Sequence, residues 1–188
     1  MDKEIRNIQN TIKRSNDDSR LVEGTAIVFN SDSQDMGYIE RILPQAIDED
    51  TIKRSDIYFY LNHDENRGVL ARSRYGVGSL TLTLENDGLH YRFEAPKTQL
   101  GDELLSYLER GEITTSSFAF TLAEGGDKWY RDKDGTLRRD IVKIDRLFDC
   151  SAVFEPAYLE TACAKRKLQE ISSIDEKLDL IRKEVESL

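Results

Sequence analysis

Three short segments of the sequence carry side chains that are suited to nucleophilic and acid–base chemistry. His63 begins a polar loop directly after an apolar run, and a strand end is a rigid place from which to hold a general base. Ser116 and Ser117 stand in a run of hydroxyl residues, and a serine attacks a carbonyl only when a base lies within hydrogen-bond reach. Asp149 interrupts an apolar run, and a carboxylate is what holds such a base in the required tautomer.

Each of these residues also has an ordinary structural explanation. His63 stands beside Asp64 and Glu65, as many loop histidines stand beside carboxylates. Threonine and serine are common in strands because of β-propensity alone. A buried aspartate such as Asp149 can simply be paired or hydrogen-bonded within the core. The residues taken one at a time leave both interpretations open.

The inventory of metal-binding side chains is small. The chain has two histidines and two cysteines, which are His63, His90, Cys150 and Cys163. A structural zinc site uses cysteines and histidines at paired spacings, and no such pattern occurs. We therefore predict no metal and no cofactor. The two cysteines could pair, although free thiols in a reducing cytoplasm are the favoured prediction.

Charge and hydropathy exclude further classes of protein. The formal net charge of the 188 residues is -9, so no overall basic field attracts a phosphate backbone. No apolar run reaches the length of about 18 residues that a membrane-spanning helix requires. The first residues, MDKEIRNIQN, contain no apolar signal core. We expect neither nucleic acid nor a membrane as a partner.

The alternation of apolar and polar residues predicts a mainly β protein with short helices, an α+β chain. The clearest signal is a hairpin in which Leu80, Leu82 and Leu84 alternate with polar residues before the turn at 86–88. Many strands with few helices favour an antiparallel closed barrel. The other predicted strands are 21–29, 57–61, 114–122 and 136–154, the last following a turn at Asp134-Gly135, and the predicted helices are 44–53 and 102–110.

The two ends differ from this body. Residues 1–20 are polar and are predicted to be an arm with a linker, residues 21–160 the barrel domain, and residues 161–188 a helical tail. Ser173 and Glu176 form a capping-box pattern at the predicted helix start. The tail has an a/d heptad stripe, which favours either packing on its own barrel or association with another helix; it consists of Ile171, Ile174, Leu178, Ile181, Val185 and Leu188.

The order of several segments across residues 21–165 gives the chain a family resemblance. It resembles the prohead, or head-maturation, serine proteases of tailed bacteriophages, which are distantly similar to herpesvirus assembly proteases. The resemblance implies a barrel of the assembly-protease type. It depends on Glu23-Gly24-Thr25-Ala26, Glu40-Arg41-Ile42-Leu43-Pro44, Asn62-His63-Asp64, Val69-Leu70-Ala71-Arg72, Asp87-Gly88-Leu89, Ser117-Phe118-Ala119-Phe120, and Asp149-Cys150-Ser151-Ala152-Val153 with Pro156-Ala157.

The resemblance assigns a role to each of the three candidate residues. It implies that His63 is the base, that Ser117 rather than Ser116 is the nucleophile, and that Asp149 orients the imidazole. The family typically has glutamate at the last position, so aspartate shortens the reach by one methylene. A rival triad with His90 in place of the carboxylate follows the herpesvirus pattern.

The sequence departs from the family in two further places. Ala71 and Ala119 stand where glycine is common, before the arginine and after the nucleophile respectively. These changes bear on how closely a substrate backbone can approach the cleft. They leave room for the alternative that the chain is a non-catalytic assembly module that uses its tail to bind partners. A hydrolase built on two carboxylates is a third hypothesis, but no spacing supports a specific pair.

The resemblance implies a serine endopeptidase that cleaves capsid and scaffold proteins, and itself, during head maturation. Its partners would be a capsid-protein scaffolding segment or a scaffold protein, with a homo-oligomer possible through the C-terminal helix. Its place would be the immature procapsid in the cytoplasm of the bacterial host. No cofactor is implied, because a triad of this kind needs none.

Overall fold

The structure is a computed structural model that describes residues 3–9, 11–15, 19–154 and 162–186. Within it, the described residues up to 154 belong to one compact unit, and a second unit holds the C-terminal helix. Several features named above lie outside the described residues: the Pro156-Ala157 pair and the side chains of Cys163, Val185 and Leu188.

The described part of the chain is mainly β with a few helices, as predicted. The strands are β1 (Glu4–Ile8), β2 (Ile12–Arg14), β3 (Leu21–Val28), β4 (Ile39–Ile42), β5 (Asp56–Leu61), β6 (Ala71–Arg74), β7 (Val77–Gly78), β8 (Thr81–Glu85), β9 (Gly88–Glu94), β10 (Thr115–Leu122), β11 (Asp127–Arg131), β12 (Leu137–Ile141) and β13 (Ile144–Val153). The α-helices are α1 (Glu49–Arg54), α2 (Gln99–Glu109) and α3 (Ala162–Glu186). Short 3-10 turns occupy Pro44–Ala46 and Glu65–Arg67.

These strands pair into three sheets. The orders are β1-β10-β13-β5-β6-β7, β11-β12-β4 and β2-β3-β9-β8. The prediction that all pairs are antiparallel is wrong, because β13 pairs parallel to β5 and β12 pairs parallel to β4. Long stretches of chain separate the members of both pairs, and a parallel pair requires such a crossover. Closure of the sheets into a barrel stays a prediction.

The hairpin of β8 and β9 confirms the local pattern of the sequence. Leu89, Tyr91 and Phe93 are at most 2% exposed and belong to the core, whereas the residues between them lie on the other face. Phe59 contacts the rings of Tyr91 and Phe93 at centroid distances of 5.0 and 4.4 Å. The core therefore joins the four-stranded sheet to the six-stranded sheet that carries the candidate site.

Helix boundaries differ from the predictions where side chains cap the backbone. The predicted helix 44–53 is a 3-10 turn followed by α1, because Asp48 is extended and its carboxylate accepts a hydrogen bond from the Thr51 N–H at 2.7 Å. Helix α2 begins at Gln99 rather than Asp102, since the Thr98 hydroxyl caps it by accepting from the Gly101 N–H at 3.3 Å.

The prediction that residues 1–20 form an arm outside the core is wrong for the described residues. Strand β1 pairs with β10, and β2 pairs with β3. Ile12 is 6% exposed within the core, and Glu4 is 2% exposed. A charged residue such as Glu4 is buried here because other elements supply opposite charges, which a local pattern cannot reveal.

Helix α3 begins before the residue that the capping-box pattern gave as its start. It begins at Ala162, so the prediction that the Ser173 capping box starts the helix is wrong. Ile174, Leu178 and Ile181 of the predicted stripe are 55%, 46% and 55% exposed. None of the described helices is both long and apolar enough to span a membrane.

Candidate active site

Strand β10 sends its two serines to opposite faces, because side chains alternate along a strand. Ser116 faces the core, where its Oγ lies 2.6 Å from the Tyr91 hydroxyl in a hydrogen bond. Ser117 faces the other side of the sheet, and it is fully buried at 0% exposure. The geometry thus separates a serine that packs in the core from one that meets other polar groups.

The register of the neighbouring strand β13 places Asp149 on the same face as Ser117, because Ser151 is opposite Ser117 and Asp149 lies two residues from Ser151. Asp149 is paired with Ala119, but the next pair joins Leu147 to Phe120, so Phe148 is the extra residue of a β-bulge. The bulge changes the phase of the alternation. Leu147 therefore enters the core while Asp149, which is 1% exposed, turns to the site.

His63 reaches this face through a left-handed turn at the end of β5. Asn62 and His63 have φ values of 55° and 56°, a conformation that asparagine and histidine adopt more readily than most residues. The Asn62 N–H donates to the Ala152 carbonyl at 2.9 Å, and its Oδ1 accepts from the Phe154 N–H at 3.2 Å. These contacts anchor the turn to β13.

The three predicted side chains form one hydrogen-bonded chain. His63 Nδ1 lies 2.5 Å from Asp149 Oδ1, and His63 Nε2 lies 2.6 Å from Ser117 Oγ. The side chain of His63 is 20% exposed, whereas that of Asp149 is 2% exposed. With the Nδ1–H donated to Asp149, the free Nε2 accepts the Ser117 hydroxyl hydrogen.

A fourth polar residue, Ser151, belongs to the same cluster and was not singled out from the sequence. Its Oγ lies 3.0 Å from Asp149 Oδ1 and 3.1 Å from His63 Nδ1. The signal was present, since a residue two positions after Asp149 shares its face of the strand. The Ser151 hydroxyl donates to the carboxylate, which leaves the imidazole N–H as the second donor to the same oxygen.

The other oxygen of Asp149 is bound by the N-terminal segment. Lys3 Nζ lies 3.0 Å from Asp149 Oδ2. Burial alone would raise the pKa of Asp149, but the hydrogen bond and charge of His63, with the charge of Lys3, hold that pKa below its usual value of 3.8. Asp149 is therefore an ionised carboxylate at neutral pH.

The hydrogen bonds of His90 go to residues outside the proposed triad, and Cys150 is a free thiol. His90 Nε2 lies 2.9 Å from Asp87 Oδ1, and its Nδ1 lies 3.1 Å from Thr25 Oγ1. Asp87, His90 and Glu85 form a surface cluster of metal-ligand types, which is common on acidic surfaces without an ion. Cys150 is a buried free thiol, and burial raises its pKa well above the usual range.

Comparison with known proteins gives one family match by sequence and one similar fold among solved structures. The sequence model of the Caudovirus prohead serine protease family matches residues 7–174 of the chain. Among solved structures, the capsid assembly protease of bacteriophage T4 is similar in fold, with a TM-score of 0.51 and 9% identity over 82% of this chain and 98% of that chain. The search of curated proteins found no match.

Proposed function

The chain belongs to the Caudovirus prohead serine protease family, and on that premise we propose that it hydrolyses peptide bonds with Ser117 as nucleophile, His63 as base and Asp149 as orienting carboxylate. The observation that carries this proposal is the continuous chain of contacts from Asp149 through His63 to Ser117, at 2.5 and 2.6 Å. The barrel of the assembly-protease type is the scaffold that we propose for it.

The proposed reaction is acyl transfer in two steps. His63 Nε2 takes the hydroxyl proton as Ser117 Oγ bonds to the substrate carbonyl carbon. The proton then passes to the amine of the leaving peptide, and an acyl-enzyme remains. Water, deprotonated by the same imidazole, releases the acyl group and restores the serine. Asp149 keeps the Nδ1–H in place and offsets the positive charge of the imidazolium throughout.

Labelling with a fluorophosphonate probe tests the proposal, because this probe reacts with serine nucleophiles that have an adjacent base. We expect the full chain to label at Ser117 and to cleave a capsid or scaffold protein of its phage. Absence of both labelling and cleavage would favour the alternative, a non-catalytic assembly module, and would end the protease proposal.

The family supports a role in capsid maturation, and we propose the natural substrates on that basis. They are the scaffolding segment of the capsid protein or a scaffold protein, together with the protease itself, cut inside the immature procapsid in the bacterial host. No cofactor takes part in the steps above.

We also propose that α3 associates with α3 of a second copy. The a/d spacing of its apolar residues suits a two-helix seam, in which each chain offers the same stripe. Ile174, Leu178 and Ile181 are each about half exposed or more, at 46% to 55%. The same helix of a second copy would cover all three of these side chains.

A further inference from the structure

Strand β1 lies directly beside the candidate nucleophile. It is the outermost strand of its sheet and pairs antiparallel with β10. In this register Asn7 is opposite Ser117, and Arg6 is opposite Phe118. An extended peptide that adds to the edge of a sheet binds in the same manner, through main-chain hydrogen bonds.

The main chain of β1 competes for the hydrogen that the reaction must move. Ser117 Oγ lies 3.0 Å from the carbonyl oxygen of Arg6, which is a second acceptor for its hydrogen beside His63 Nε2. A hydroxyl has one hydrogen, so a Ser117 that donates to Arg6 cannot donate to His63 at the same time. Ser117 is also 0% exposed, which keeps any other carbonyl away from its Oγ.

The segment before β1 also holds the acid of the triad. The ammonium of Lys3 lies 3.0 Å from Asp149 Oδ2. An imidazolium on His63 would have to share the charge of that carboxylate with Lys3. Departure of β1 would remove both this charge and the Arg6 carbonyl, so one movement would release the whole triad.

Alternate side chains of β1 enter a buried pocket of opposite charges. Arg139, which is 1% exposed, donates to both carboxylate oxygens of Glu4 at 2.7 and 2.8 Å. Arg6 donates to both carboxylate oxygens of Glu40 at 2.5 and 2.7 Å. Paired, bidentate contacts of this kind give geometric selectivity as well as energy.

The net charge of the pocket does not change when β1 leaves. Glu4 and Arg6 carry one negative and one positive charge away together. Arg139 retains Glu40 at 2.9 Å and Asp127 at 2.8 Å. A buried arginine without partners would be costly, but this one keeps two carboxylates.

We propose that β1 occupies the substrate-binding edge of β10, and that a protein substrate binds there in its place as an antiparallel strand with a glutamate facing Arg139 and a basic residue facing Glu40. The substrate motif is therefore acidic–any–basic, as in Glu4-Ile5-Arg6 of the chain itself. This inference rests on the proposed protease function, because it assigns the substrate path to Ser117.

A disulfide that locks β1 tests the displacement. Ile5 and Ala119 are direct partners across β1 and β10, at a separation that a disulfide can bridge. We expect the full-length variant with Ile5→Cys and Ala119→Cys to label with fluorophosphonate at least about tenfold more slowly when oxidised than after reduction, because only the open fraction reacts. Equal rates in the two forms would overturn the inference.

A peptide tests the charge motif. Glu4→Gln with Arg6→Gln in the full chain weakens β1, and a fluorescent peptide Lys-Glu-Ile-Arg-Asn-Ile-Gln should then bind at least about tenfold more tightly than Lys-Arg-Ile-Glu-Asn-Ile-Gln, which has the same composition. Equal affinity of the two peptides would overturn the inference. If this variant does not fold, the labelling rates of the Ile5→Cys and Ala119→Cys variant test the inference instead, since that variant removes no charge.

The two assays separate this inference from the proposed function. Suppose that the Glu-Ile-Arg peptide binds more tightly than the Arg-Ile-Glu peptide, but Ser117 neither labels nor supports cleavage. That result would support the binding edge and overturn the protease proposal. Suppose instead that Ser117 labels at the same rate with and without the disulfide, and that the two peptides bind equally. That result would support the protease proposal and overturn the binding edge.

Discussion

Ser151 and Asp149 stand two residues apart on β13, and the Ser151 hydroxyl donates to Asp149 Oδ1 at 3.0 Å. The same oxygen receives the Nδ1–H of His63 at 2.5 Å. The carboxylate is thus held from two sides, by the strand that carries it and by the histidine that it orients. Such supporting contacts fix the direction of a catalytic side chain.

Ser151→Ala is expected to lower kcat by about tenfold with little change in KM, because one hydrogen bond that positions Asp149 is lost. Ser151→Thr keeps the hydroxyl and should restore most of kcat. Steady-state cleavage of a peptide substrate measures both parameters. An unchanged kcat, or a Thr variant that behaves like the Ala variant, would contradict a positioning role.

Ser117→Ala should remove fluorophosphonate labelling and lower cleavage by about 10⁴-fold or more, since no other group can form the acyl-enzyme. Ser116→Ala is the matched control on the same strand. It removes the hydrogen bond to Tyr91 and should cost about 1 kcal/mol in the free energy of unfolding while labelling continues. Loss of activity in Ser116→Ala alone would show that the nucleophile is Ser116 and not Ser117.

Asp149→Asn is expected to reduce kcat by about 10⁴-fold, because an amide no longer fixes the tautomer of His63 or offsets its charge. His90→Ala should retain wild-type kcat, as its hydrogen bonds run to Asp87 and Thr25. The same peptide assay compares the two variants. The reverse ranking would support the rival triad with His90.

Low pH should weaken the ion pairs that Glu4 of β1 forms with Arg139 and Arg6. Burial alone would raise the pKa of Glu4, but Arg139 and Arg6 hold it below its usual value of 4.5. A depressed pKa stabilises the fold above pH 4.5, and this contribution is lost as the pH falls through the lower folded-state pKa. Denaturant unfolding between neutral and acidic pH measures it.

Glu4→Gln should lower the free energy of unfolding by about 3 kcal/mol at neutral pH, and its difference from wild type should shrink as the pH drops. Glu23→Gln is the control, because Glu23 is only half-buried and its partner Lys13, at 3.5 Å, is exposed. That variant should change stability by less than about 0.5 kcal/mol. A difference for Glu4→Gln that does not depend on pH would contradict the role of the ionised carboxylate.

Self-association through α3 predicts that Ile174→Lys with Ile181→Lys converts a dimer to a monomer in sedimentation experiments, since charges on the seam oppose pairing. Leu180→Lys is the control, because Leu180 is 62% exposed and lies off the stripe. A monomeric wild type, or a dimer that survives the double change, would end this proposal.

Local patterns predicted those elements that depend on local chemistry. The hairpin of β8 and β9 follows from alternation and its turn residues, and both strands are confirmed. Strand β1 could not be predicted, because Glu4 and Arg6 look like residues of a solvated arm. Their partners Arg139 and Glu40 come from β12 and β4, far along the chain. Long-range ion pairs leave no periodic signal.

The sequence by itself determined which side chains were available, and with two histidines it left few choices for a base. It also determined, by alternation, that Ser116 and Ser117 face opposite sides of a strand. Only the tertiary structure decided that His63, Ser117 and Asp149 meet. Their contacts depend on a left-handed turn at 62–63, the register of β10 with β13 and a parallel pairing of β13 with β5. Each of these is stabilised by contacts between distant segments, so neither local propensity nor spacing specifies it.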